Sequence, residues 1–269
     1  MELEALVAEL NSLHDLDRAV ARLIAHGSDA IAPLERFLFE GKPSVVYQPR
    51  CGAVEALGAL GAKDALLRYL TWKKEIPDAA VRLAEQSVEN AAARELAALG
   101  GQDVRDALLR MAVPAPQPGL VEALAGLACL DAIPYFVRAL EDDFCRFAAE
   151  DALRTLGRQV ELALVSSSRT ALPSIDEERV SSKRRRARSL ELLAELGSTA
   201  EFWPALRPLL ADSDAAIVLA VSKIAATLGE SRDRVTAAAR LREILPQGDW
   251  FLREEIRDCL TQLSRDSAR

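Results

Sequence analysis

The chain has 269 residues and a mass of 29.2 kDa, with half of its residues hydrophobic, enough apolar material to bury a sizeable interior. That apolar half is mostly Ala, Leu and Val, with aromatics at 5%, a mixture of strong helix formers that disfavours a sheet protein. The net charge of −7 and pI near 5.1 repel phosphate backbones and argue against a general nucleic-acid sleeve.

The opening Met1-Glu2-Leu3-Glu4 lacks the charged-then-apolar pattern of a secretory leader, and no apolar run approaches membrane-spanning length. The expected location is therefore cytoplasmic. Cys51, Cys129, Cys145 and Cys259 lie far apart within helical patterns, without a C-x-x-C pair or a neighbouring His. They read as reduced packing residues.

One phrase, R-x-x-A-x-x-x-L-x-x-L-G, recurs along the chain. Its first copy is the most worn, at Leu16, Ala19, Leu23, His26 and Gly27. The copy at Arg50, Ala53, Leu57, Leu60 and Gly61 is among the clearest. Looser copies follow at Glu89 to Gly100 and at Leu120 to Asp131, before a second clear one at Arg146, Ala149, Leu153, Leu156 and Gly157. Three more start at Arg186, Val218 and Arg253 and end at Gly197, Gly229 and Ser264. Apolar residues three and four apart form one stripe of a helix, and a following Gly can take the left-handed turn that ends it. Each copy therefore predicts one amphipathic helix. The copies recur every 34 residues or so, roughly the length of a two-helix unit, which places a partner helix before each.

Three of the partner helices announce their starts with an early proline, at Pro33, Pro134 and Pro204, where a missing N–H costs nothing. Others are expected near Lys63 to Trp72, Asp103 to Met111, Arg158 to Val165 and Ser231 to Leu245. Two segments break the rhythm and read as surface loops: Val113 to Gly119, with three prolines, and the polar stretch Ser166 to Ser182. The expected repeats are 1–27, 28–61, 62–100, 101–131, 132–157, 158–197, 198–229 and 230–264 in a single domain, with Met1 to Gly27 and Ser231 to Arg269 as end caps.

The second-helix phrase and the I-P-x-L-type first helices resemble the HEAT-repeat superfamily, in particular its short bacterial phycobilisome-lyase type. The resemblance spans nearly the whole chain. It implies an all-α fold, a right-handed α-α superhelix (solenoid) of about eight two-helix repeats, with the second helices on the concave side. It also implies that Arg50, Arg146, Arg186 and Arg253, at the family's recurring Arg position, bond acidic side chains near the intra-repeat turns. Asp142 or Asp143 and Asp249 stand suitably before two of them, and no acid stands just before Arg50.

At 100° per residue, the third, sixth and tenth positions of each phrase point away from the buried stripe. They bring Gly52, Glu55 and Ala59, then Ala91, Arg94 and Ala98, then Glu122, Ala125 and Cys129, then Ala148, Asp151 and Thr155 to the exposed side. Arg188 and Glu191 take the same positions in the sixth repeat. Small residues with isolated charges suit a surface that receives a helix or loop of a partner. An Ala-rich composition also puts Ala everywhere, so both readings stand. The basic run Lys183 to Arg186 with Arg188 offers a polyanion patch at Arg184, Arg185 and Arg188, although Glu191 and Glu195 continue that face and Asp176, Glu177 and Glu178 precede it. Trp250-Phe251 reads either as an exposed anchor or as end-cap core.

Chemistry is sparse. His14 and His26 are the two histidines and neither precedes a Glu, unlike the repeated His-Glu metal ligands of HEAT-like di-iron hydroxylases. No H-E-x-x-H, G-x-S-x-G, phosphate loop or dinucleotide motif is found. HEAT-like DNA glycosylases need a cationic groove with aromatics near an Asp, and the expected groove has neither. The sequence therefore predicts a non-catalytic protein-binding scaffold or adaptor without cofactor or metal, monomeric alone, and taking a basic or helical segment of a partner protein. An assembly factor and a toxin-neutralising partner are specific forms of that role. A bilin lyase subunit or a HEAT-like DNA-binding enzyme is the alternative.

Overall fold

The structure is a computed structural model that describes residues 2–72, 75–113, 115–175 and 177–265. Met1, Pro114, Asp176 and residues 266–269, which belong to the expected caps, proline loop and acidic approach to the basic run, lie outside the described residues. Among the described residues all regular structure is helical, apart from an isolated bridge between Pro173 and Glu178. No helix there is long and apolar enough to cross a membrane.

The chain divides into two compact units, Met1–Ala132 and Ile133–Arg269. The first holds α1 (Glu2–Glu9), α2 (Leu16–Ala25), α3 (Ile31–Glu40), α4 (Gln48–Ala59), α5 (Lys63–Thr71), α6 (Ala79–Leu99), α7 (Gln102–Met111) and α8 (Pro118–Gly126). Helices α2, α4, α6 and α8 pack successively against one another, and α1, α3, α5 and α7 do the same. The result is a two-layer stack of helix pairs, the arrangement that buries a stripe no single pair could cover.

The second unit repeats the scheme with α9 (Ile133–Ala139), α10 (Arg146–Leu156), α11 (Glu161–Arg169), α12 (Val180–Leu196), α13 (Trp203–Leu206), α14 (Ala215–Leu228), α15 (Ser231–Ile244) and α16 (Trp250–Arg265). Short α13 continues as the 3-10 segment Arg207–Ala211. Helices α10, α12, α14 and α16 form one layer, while α9, α11, α13 with its extension, and α15 form the other.

The phrase explains the packing. Its fourth and eighth positions are buried in the clear copies, as Ala53 and Leu57 and as Ala149 and Leu153, all 0% exposed. Each buried Leu contributes roughly 1.5–3 kcal/mol. Five of its six final glycines, Gly27, Gly61, Gly100, Gly157 and Gly197, have positive φ, a conformation that costs other residues roughly 1–2 kcal/mol, whereas Gly229 is extended at φ −73°.

Several expectations need correction. Helix α6 starts at Ala79, ten residues before its phrase, because Asp78 accepts hydrogen bonds from the N–H groups of Ala80 and Val81 and nothing from Ala79 to Leu99 breaks a helix. Helix α8 stops at Gly126 instead of running to Leu130, and Ala128 takes the left-handed turn at φ 46°. The proline segment ends sooner than expected, since Pro118 and Gly119 already lie in α8, where proline suits the first turn. The polar loop shrinks to 170–179, because Ser167, Ser168 and Ser182 are buried in helices with their hydroxyls hydrogen-bonded.

Gly119 marks a close approach between α6 and α8. Its N–H donates to Asn90 Oδ1 at 3.1 Å, and a Cβ there would lie 2.6 Å from the Asn90 carbonyl oxygen and 2.7 Å from its Cα. Gly119→Ala is expected to cost about 1–3 kcal/mol by forcing the helices apart. Thermal denaturation checks this, and an unchanged midpoint would mean that α8 shifts freely.

Candidate functional site

The exposed face of the second-helix layer is where the sequence places its binding residues, and each unit presents its own. In the first unit Glu55, Arg94 and Glu122 are all exposed. Arg94 of α6 pairs with Glu122 of α8, so these two charges are spent on each other across neighbouring helices. Gly52 and Cys129, expected on this face, are buried. Gly52 lies under Leu16 and Val20, where a Cβ would meet Leu16 Cδ1 at 2.8 Å. Cys129 lies past the early end of α8, off the helix whose periodicity placed it.

Glu55 of α4 is joined by a residue the phrase did not single out. Glu95 of α6 lays its side chain over the α4 backbone at Gly58. Burial, and then the charge of Glu55, hold its carboxyl above the ordinary value of 4.5. Among the described residues neither carboxylate has an ion-pair partner. The folded chain thus holds the Glu95 proton more tightly than the unfolded chain, so stability falls as pH rises from 4.5 through the raised value. Glu95→Gln is expected to raise the melting temperature at pH 7 and leave it unchanged at pH 4. A drop at pH 7 would overturn the sign.

The second unit is more heavily laced. Arg154 of α10 donates to Asp151 Oδ1 at 3.1 Å and to Glu195 Oε2 of α12 at 2.7 Å. Arg188 donates to Glu191 at 2.5 Å and lies 3.7 Å from the buried Glu150. Lys223 of α14 bonds Glu255 of α16 at 2.7 Å. Burial raises the Glu191 carboxyl, opposed by Arg188 and Lys223. Between α12, α14 and α16 lies a cleft of about 450 Å³ lined by Glu195, Lys223, Thr227, Glu255, Asp258 and Gln262 among others. The Lys223–Glu255 pair uses the same phrase positions as Arg94–Glu122, a register visible only once the helices are stacked.

The basic run is paired within the fold, and Arg185 is withdrawn from the expected polyanion patch. Arg185 is 6% exposed and donates to Glu141 Oε1 at 2.6 Å, to the Thr170 carbonyl at 2.7 Å and to Ser167 Oγ at 2.9 Å. Arg184 donates to Asp143 at 2.6 Å, and Arg188 is committed to Glu191. A buried guanidinium that has exchanged water for three fixed acceptors is structural.

The recurring Arg positions are unequal. Arg50, 4% exposed, meets Glu85 of α6 at 3.0 and 3.2 Å, and Tyr69 donates to the same carboxylate at 2.5 Å. Its acid comes from the next repeat, which explains why none precedes it in sequence. Arg186 bonds both Glu178 and Asp212 at 2.6 Å. Arg146 reaches Asp143 only at 3.5 Å, and Arg253 uses the Pro246 carbonyl instead of Asp249. Trp250 and Phe251 stack edge to face at 4.9 Å and are 67% and 73% exposed, so they do not cap the core.

Among the described residues, no group of three or more His, Cys, Asp or Glu could hold a metal ion. Burial raises the thiols of Cys51 and Cys259 to about 11, which keeps both protonated and unreactive near neutrality.

No protein-family model and no curated protein matches the chain. Similar solved structures include human deoxyhypusine hydroxylase, at 17% identity and TM-score 0.36 over 98% of this chain and 96% of that one. Another is the complex of CpcE and CpcF of phycocyanin lyase from Nostoc sp. PCC7120, at 20% identity and TM-score 0.38, covering 97% and 94%. An engineered protein is similar at 18% identity and TM-score 0.31, covering 98% and 97%. These likenesses concern the helical fold and carry nothing about activity.

Proposed function

We propose that the chain is a non-catalytic protein-binding scaffold whose second-helix face receives a basic, helical segment of a partner protein. The observation that carries this reading is the Glu55–Glu95 pair: an exposed carboxylate whose charge is felt by the half-buried Glu95 of the next helix, with no ion-pair partner for either among the described residues. Such an arrangement is destabilising by itself, and an incoming Lys or Arg would relieve it. Ala59, Ala91 and Ala98 around the pair let a second helix approach closely.

The test is affinity purification of the partner from the native host, followed by titration against charge-reversed protein. Glu55→Lys with Glu95→Lys is expected to weaken the complex by about tenfold or more, an effect of about 1.4 kcal/mol, and to reduce its salt sensitivity. Unchanged affinity removes this face from the proposal. A pigment that co-purifies in place of a protein would favour the bilin-lyase alternative.

A further inference from the structure

The second unit exposes large apolar side chains where the turns between first and second helices meet. Phe144 is 87% exposed, Phe147 66%, Val180 73% and Ile175 96%. The segments that carry them are joined by ion pairs and hydrogen bonds. Asp143, beside Phe144, takes Arg184 at 2.6 Å, and Arg184 lies one helical turn after Val180. Glu141, in the same turn, accepts from Arg185 at 2.6 Å and from Ser181 at 3.5 Å. Glu177, two residues from Ile175, lies 3.7 Å from Lys183 on that same first turn of α12. Monomeric surfaces rarely gather such residues without a use for them.

The charges around this edge are layered. The carboxylates of Asp143 and Glu177 are 66% and 79% exposed, while the cations facing them, Arg146, Arg184 and Lys183, are only 19%, 30% and 29% exposed. Negative charge therefore faces outward and positive charge sits beneath. Phe147 already holds the Arg146 guanidinium 5.0 Å from its ring centre, and Phe144 offers a nearly free ring of the same chemistry. Outward carboxylates and open aromatic faces both select cations.

We infer that this edge is a docking surface for an amphipathic segment that covers Phe144, Phe147 and Val180 with apolar side chains and meets Asp143, Glu177 and the Phe144 ring with Arg or Lys. The inference rests on the reading of the chain as a binder of basic segments, and it adds an anchor separate from the Glu55–Glu95 face.

The experiment uses the full chain and a fluorescent amphipathic peptide of about 18 residues built from Leu and Arg, with a Leu-Glu peptide of the same pattern as control. The Leu-Arg peptide is expected to bind saturably and the Leu-Glu peptide not. Phe144→Ser with Phe147→Ser, both on exposed positions, should weaken binding by about tenfold, whereas Glu55→Lys with Glu95→Lys should leave a saturable component. If only the glutamate variant loses binding, this edge is overturned and the scaffold reading stands. Equal binding of both peptides, or no saturable binding, overturns the inference. So does self-association of the unmodified chain that the phenylalanine variant abolishes, since a second copy would then cover the edge.

Discussion

Arg186→Leu is expected to destabilise the chain by about 3–5 kcal/mol, the cost of leaving buried charge uncompensated. Arg186 is 5% exposed and its guanidinium lies between Glu178 and Asp212, both at 2.6 Å, while its Nε donates to the Ser168 carbonyl at 2.8 Å. Its removal strands two carboxylates whose side chains are only 14% and 13% exposed. Urea unfolding measures the loss, and adding Glu178→Gln and Asp212→Asn to the variant should recover a large part of it. A single-variant loss below about 1 kcal/mol would mean that water reaches the carboxylates, as at a surface pair.

Glu85→Ala is the corresponding test in the first unit, with a similar expected cost of about 3–5 kcal/mol. It leaves Arg50 and the Tyr69 hydroxyl buried without their shared acceptor. Replacing the whole cluster, as Arg50→Met, Tyr69→Phe and Glu85→Leu together, should restore most of the stability, because apolar groups of similar volume carry no desolvation penalty. Failure of the triple variant to recover would show that the cluster contributes more than its own charge balance. Unfolding in urea at pH 7 distinguishes these outcomes.

The second helices were legible because one residue pattern served each of them, and their partners followed from early prolines and from the length left between copies. Leu57, Leu96, Leu153 and Leu193 occupy equivalent places in the phrase, and all are fully buried. What a single helix cannot encode is which neighbour its polar groups will meet. Arg185 and Arg186 look like a solvated basic run, and they are buried because stacking places Glu141, Glu178 and Asp212 beside them from separate parts of the chain. Glu85 is 35 residues from Arg50, so no local spacing announces the pair.

The candidate face was legible in part. Helical periodicity put Glu55, Arg94, Glu122 and Asp151 on the exposed side, where they lie. It failed at Gly52, covered by the preceding repeat, and at Cys129, where the helix ends early. It also passed over Glu95, one position from the counted register, because a long side chain can lean across to α4. Ala-rich composition and a receptive surface look alike until neighbouring carboxylates are seen together.

Arg185 reaches back to Glu141 in the α9–α10 turn, and Arg186 reaches forward to Asp212 before α14. Two consecutive residues of one helix thus tie three successive repeats. In a linear array whose members touch only their neighbours, the strength of each junction decides whether repeats melt singly or as a block. With both guanidiniums in place, the stretch from α9 to α14 should behave as one cooperative segment, so that fraying from the C-terminal end halts where it meets Asp212.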